Sequence, residues 1–91
     1  MSQAIVTPSE VRSFAGSLDQ FNKELKNKCS MMHGRFRHLG ETWRDQEYKK
    51  FEQEFNQTIK VINQFLGISE KYVPFLHQKA AMVEQYLHKR L

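Results

Sequence analysis

Apolar residues recur along the first part of the chain at Val11, Phe14, Leu18, Phe21, Leu25, Cys29, Met32, Phe36 and Leu39, always three or four positions apart. That spacing lines one face of an α-helix. Thr7, Pro8 and Glu10 supply its start: a capping hydroxyl, a proline at the first helical position and an acid three residues after the cap to complete a capping box. The pattern predicts a first helix over about residues 8–39, on the order of 48 Å long. Two successive steps of four, Phe21 to Leu25 to Cys29, break the heptad and predict locally straighter packing than an ideal coiled coil. Gly40 is placed for a left-handed cap, and Asp45 stands three residues before Tyr48, where it caps the next helix. Residues 40–45 leave room only for a tight reversal, so the two helices run antiparallel.

The second helix, about residues 46–89, continues the seam through Tyr48, Phe51, Phe55, Ile59, Ile62, Leu66, Val73, Leu76, Ala80, Val83 and Leu87. A second stripe runs beside it, about 100° round the helix: Val61, Phe65, Ile68, Tyr72, Phe75, Met82 and Tyr86. One neighbouring helix does not cover an arc that wide, and the chain has no third helix to spare. These seven residues are therefore the expected interface with another molecule. The expected hairpin core is Phe14, Leu18, Phe21, Leu25, Met32 and Phe36 against Phe51, Phe55 and Ile62. Pro74 falls inside the second helix, where it removes a backbone donor and crowds the carbonyl of Glu70, predicting a kink. The alternative, with Gly67 weakening the same region, is a short third helix from Ser69. A reversal centred on Thr42 sets Pro8 opposite Leu76 and leaves residues 79–91 projecting, with Ala80, Val83 and Leu87 requiring another chain or a fold-back.

Composition supports this architecture. A chain of 91 residues, 40% hydrophobic and 26% charged with two prolines and four glycines, is one helical domain, residues 1–91, with a thin core that association would reinforce. The net charge of +4 is spread evenly, seven Lys and Arg up to Asp45 and seven after it, against five acids in each part. There is no basic tail. The start carries no basic stretch followed by an apolar core, and no run approaches a membrane span, so the expectation is a cytoplasmic protein or one exported without a conventional signal peptide. A single cysteine excludes an internal disulfide.

Candidate chemistry is sparse. Cys29 and His33 stand four apart, half of a metal site, but His38, His77 and His88 follow no ligand pattern and Cys29 lies on the apolar seam. No cofactor, no metal and no catalytic activity are expected. Lys23, Lys26, Lys28, Arg35 and Arg37, with Arg44, Lys49 and Lys50 near the turn, are a possible phosphate-contacting face, interrupted by Glu24, Glu41 and Glu47. This supports an alternative reading as a nucleic-acid-associated basic protein, disfavoured because there is no aromatic platform or recognition-helix spacing. A structural subunit of a larger assembly is a further alternative.

A lone tryptophan between two amphipathic helices in a chain of about ninety residues resembles the WXG family of early-secreted-antigen-like proteins. The matching residues are Phe14, Leu18, Phe21 and Leu25 on the first helix, Leu39, then Trp43 in the turn, then Tyr48, Phe51 and Phe55. Trp43, Arg44 and Asp45 stand where the family has Trp-x-Gly. Tyr86 is followed four residues later by Arg90, where the family's export signal has an acid; Tyr48 with Glu52 has that spacing at the turn. The resemblance implies a helical hairpin that dimerises into a four-helix bundle, linked to type VII-like secretion or to toxin partners. The expected partners are a second copy, a similar small helical protein or a larger effector, with the turn motif Trp43, Arg44, Asp45 as a second contact patch.

Overall fold

A computed structural model describes residues 6–89; residues 1–5 and 90–91 of the chain lie outside that description. It is all-helical. Helix α1 (Pro8–Leu39, 32 residues) and helix α2 (Gln46–Lys89, 44 residues) form an antiparallel hairpin, a rod of 69 × 25 × 15 Å.

Helix α1 starts on Thr7, whose backbone is extended and whose carbonyl accepts from the N–H groups of Glu10 (3.0 Å) and Val11 (3.1 Å). Its side chain makes no cap hydrogen bond, so the capping box is not formed. The fixed φ of Pro8 at the first turn is enough to start the helix. At the other end Gly40 is right-handed, φ −67° and ψ −12°, and not in the left-handed cap its sequence position suggests. Glu41 and Thr42 then donate to the carbonyls of His38 and Leu39, and Trp43 to that of Leu39, carrying the chain round without positive φ.

Pro74 lies inside α2, which is helical without a break from Gln46 to Lys89. Residues 69–89 therefore belong to the second helix and are not a third one. The missing donor at Pro74 removes one rung of the ladder, while flanking turns and tertiary packing hold the rest.

The seam is narrow. Ala15 and Ala80 are fully enclosed, and Leu66 and Phe36 nearly so, with Leu18, Leu25, Cys29, Phe55, Ile59, Ile62, Val73 and Leu76 half-buried around them. Pairing reaches further along α2 than a reversal at Thr42 implies: Ala80 has no exposed surface, and Arg12 near the start of α1 bridges Glu84. The first turns of α2 wrap over the end of α1, with Tyr48 against Phe36 and Gly40. This moves the centre of pairing from Thr42 to between Asp45 and Gln46, as Phe36 on Phe55 and Asn22 on Ser69 both indicate. The overhang shrinks accordingly, and Ala80 needs no second chain to cover it. Leu39 and Leu87, placed on the seam by spacing, are exposed.

Asn22 and Ser69 are a buried polar pair in mid-seam, 3% and 5% exposed, with Ser69 Oγ donating to Asn22 Oδ1 at 2.7 Å. Asn22 Nδ2 has no hydrogen-bond partner. Both residues sit at seam spacing, Asn22 between Leu18 and Leu25 and Ser69 between Leu66 and Val73, so periodicity places them although polarity argues against it.

Candidate functional site

The closed end of the hairpin is built round Phe36, which stacks on Tyr48 (centroids 5.1 Å apart) and Phe55 (4.5 Å) and meets the edge of Phe51 (5.6 Å). Trp43 leans edge-on against Tyr48 and Phe51 and is half-buried. Such ring contacts add to the burial of each ring. Asp45 fastens the turn to α2: its Oδ1 accepts the backbone N–H of Tyr48 at 3.0 Å, and the Trp43 side chain and Glu47 N–H are weaker donors toward the same carboxylate. These donors, the Tyr48 N–H foremost, hold the Asp45 carboxyl below its ordinary range. Arg44 is exposed beside them.

Gly40 lies under the Tyr48 ring. A Cβ there would sit 2.8 Å from Cζ of Tyr48 and closer still to its hydroxyl oxygen. The close approach comes at the residue three before Trp43, while the position two after it holds the capping aspartate.

Above this end the molecule has two unlike faces. One carries ion pairs that cross between the helices, Arg12 with Glu84 and Lys26 with Glu70, and Lys23 with Asp19 along α1. The hydrogen bond from Arg12 lowers the Glu84 pKa, and the same bond raises that of Arg12. Two lysines of the basic set on α1, Lys23 and Lys26, are thus matched by acids.

The other face is apolar. Val61, Phe65, Ile68, Tyr72, Phe75, Met82 and Tyr86 are all exposed on the hairpin, Phe65 at 46% and Phe75 at 56%. Phe14, Phe21, Met32 and Phe51, expected in the core, are also exposed, Phe14 at 59%. They line the same face: Phe14 and Leu18 share a shallow groove with Phe65, Ile68 and Tyr72, and Phe21 meets Phe65 edge-on at 6.3 Å. Nearer the turn a second groove runs between Leu25, Cys29 and Met32 on α1 and Phe55, Ile59 and Ile62 on α2. The apolar surface is therefore a two-helix face, where periodicity alone assigned it to α2. The signal for α1 was present in Phe14 and Phe21, seven residues apart on its apolar stripe, but which side of the seam they lean to depends on how the helices cross.

The exposed row on α2 has a regular order. From Phe51 it reads Phe51, Glu54, Thr58, Val61, Phe65, Ile68, Tyr72, Phe75, Lys79, Met82, Tyr86, alternating steps of three and four without a break. All eleven are exposed. A strict seven-residue repeat is the pattern of a helix that packs in a left-handed coil against another helix.

A hairpin of two long helices, closed by a tryptophan turn and apolar along one face, is the setting in which a family comparison carries weight. The model for WXG100, proteins of 100 residues with WXG, matches residues 3–86. The chain belongs to the WXG100 family. No curated protein and no solved structure matches it. WXG100 proteins are small, non-enzymatic helical proteins of type VII secretion. In this WXG100 chain Asp45 occupies the glycine position of the motif and caps α2 by accepting the Tyr48 N–H. Among the described residues no group of three or more His, Cys, Asp and Glu is placed to hold a metal, and no helix is long and apolar enough to cross a membrane.

Proposed function

We propose that this WXG100 chain is a non-enzymatic helix-binding protein linked to type VII-like secretion, working by dimerisation through its apolar face. The observation that carries the reading is the exposure of one continuous two-helix face rich in aromatic rings on a hairpin whose opposite face is charged. Exposed apolar surface of this extent marks an interaction site. Covering it with a second hairpin gives a four-helix bundle, the arrangement in which paired amphipathic helices bury both apolar arcs. The partner is a second copy, a similar small helical protein or the helical domain of a larger effector. Val61, Phe65, Ile68, Tyr72, Phe75, Met82 and Tyr86 form its α2 side, and Phe14, Phe21 and Met32 its α1 side. Trp43 and Asp45 serve chiefly to close the hairpin, and exposed Arg44 beside Trp43 is the second contact patch. Export proceeds without a conventional signal peptide, as it does for the family.

The test is molecular mass by sedimentation or light scattering at micromolar concentration. The expected result is a dimer that Phe65→Glu with Phe75→Glu converts to monomer while helicity is retained. A wild-type monomer that stays monomeric with every co-expressed partner overturns the reading.

A further inference from the structure

Two registers are open to the hairpin, one heptad apart. Phe36 packs on Phe55 and Asn22 on Ser69, and the two contacts are equally spaced on both helices, so a single register centred between Asp45 and Gln46 runs along the seam. It sets Cys29 opposite Ile62, Leu25 opposite Leu66 and Leu18 opposite Val73. A reversal centred on Thr42 slides α2 by one heptad, about 10 Å along the axis. Cys29, Leu25, Leu18 and Val11 then meet Phe55, Ile59, Leu66 and Val73, apolar against apolar, and Met32, already exposed, comes opposite Glu52. A seam spaced in threes and fours repeats every heptad, so its apolar residues fit both registers. The closed end does not separate them either, because Phe36 stacks on Tyr48, its opposite number in the second register, as well as on Phe55.

One layer does. In the observed register Ser69 Oγ donates to Asn22 Oδ1 inside the seam. In the other, Asn22 faces Ile62 and Ser69 faces Ala15, which leaves the whole Asn22 amide and the Ser69 hydroxyl unpaired in an apolar seam. A buried polar group without a partner costs more than its hydrogen bond contributes when made. Asn22 Nδ2 is unpartnered even in the observed register. The pair therefore weakens that register and excludes the other more strongly, the balance by which a buried Asn fixes register in a coiled coil. Arg12 with Glu84 and Lys26 with Glu70 belong to the same register, but both pairs are exposed and contribute little. Register also decides the surface: it sets Phe21 beside Phe65, and Phe14 and Leu18 beside Ile68 and Tyr72.

We infer that Asn22 and Ser69 form a register lock, holding α2 one heptad past a reversal centred on Thr42 and thereby assembling the aromatic face from both helices. The lock is internal to one hairpin, so its test does not depend on the dimerisation reading.

Spin labels at Ser13→Cys and Gln57→Cys, both exposed positions, follow the register in a Cys29→Ala background. Dilution with unlabelled chain restricts the signal to distances within one hairpin. The axial separation of the labels is about 31 Å in the observed register and about 21 Å in the other. With the seam otherwise native, one distance is expected. Asn22→Leu with Ser69→Ala is expected to keep its helicity by circular dichroism and to add a second, shorter distance. Ile62→Ser with Ser69→Ile moves the hydroxyl opposite Asn22 in the other register, and the shorter distance is expected to predominate. The longer distance alone in the apolar variant overturns the lock. If that variant is not helical, the relocated hydroxyl decides, and the longer distance alone there overturns the lock.

Discussion

Gly40 is held to glycine by space and not by backbone conformation. Its dihedral angles suit any residue, but the Tyr48 ring fills the volume a side chain needs. Gly40→Ala is expected to displace Tyr48 and loosen Trp43, lowering stability by about 1–3 kcal/mol, as overpacking does. The sole tryptophan makes intrinsic fluorescence the measurement, and a red shift with a lower melting temperature is the expected outcome. Tyr48→Phe removes the closest atom and should recover part of the loss. Asp45 gives the turn its pH dependence. Its carboxyl titrates below the ordinary range because the fold prefers the charged form, and Glu84 shares that direction through Arg12. A depressed carboxyl contributes stability above its unfolded pKa, about 4, and that contribution is lost as pH falls through the folded value. Thermal melts between pH 5 and pH 2.5 should show stability falling on acidification. Asp45→Asn with Glu84→Gln should flatten the profile over that window.

On the scale of an element, α2 tolerates a proline and the seam tolerates an asparagine. Pro74 costs one backbone hydrogen bond within an otherwise continuous helix. Pro74→Ala is expected to stabilise the hairpin by roughly 1–3 kcal/mol in urea unfolding and to raise helical ellipticity. Asn22 leaves a buried donor unmet while its carbonyl is satisfied by Ser69. Ser69→Ala removes that remaining partner and should cost about 1–3 kcal/mol in urea unfolding. Replacing both, Asn22→Leu with Ser69→Ala, should recover the loss, because an apolar pair has no polar group to desolvate.

The whole molecule is a rod with a charged side and an apolar side. Its enclosed core amounts to a few residues, Ala15, Phe36, Leu66 and Ala80 with Asn22 and Ser69. A core that thin leaves a single hairpin marginal. Folding is therefore expected to be linked to association: the melting temperature should rise with protein concentration, measurably between 1 and 100 μM, because binding partners of the folded state stabilise it by mass action. Phe65→Glu with Phe75→Glu should abolish the concentration dependence. Ionic strength separates this face from phosphate binding. Apolar helix pairing changes little with salt, whereas contacts from Lys28, Arg35 and Arg37 to nucleic acid would weaken steeply.

The order of hydrophobic residues, Pro8 and Asp45 determined the all-helical class, two long helices and the reversal between them. Those are local matters: a three- and four-residue spacing, a proline at a first turn and an aspartate before a helix are each read within one or two turns of chain. The same order announced that α2 carries more apolar surface than one neighbour covers. Tertiary structure decided how that surface is divided. The way α2 wraps the end of α1 shifts the pairing toward Gln46, brings Ala80 under cover, buries Asn22 against Ser69, and turns Phe14 and Phe21 outward beside Phe65 and Tyr72 and Met32 outward nearer the turn. The physical reason is that a helix with two adjacent apolar rows has two ways to face its partner, and the choice rests on contacts between residues far apart in the chain: Phe36 with Tyr48 and Phe55 at the closed end, Asn22 with Ser69 in mid-seam and Arg12 with Glu84 beyond it.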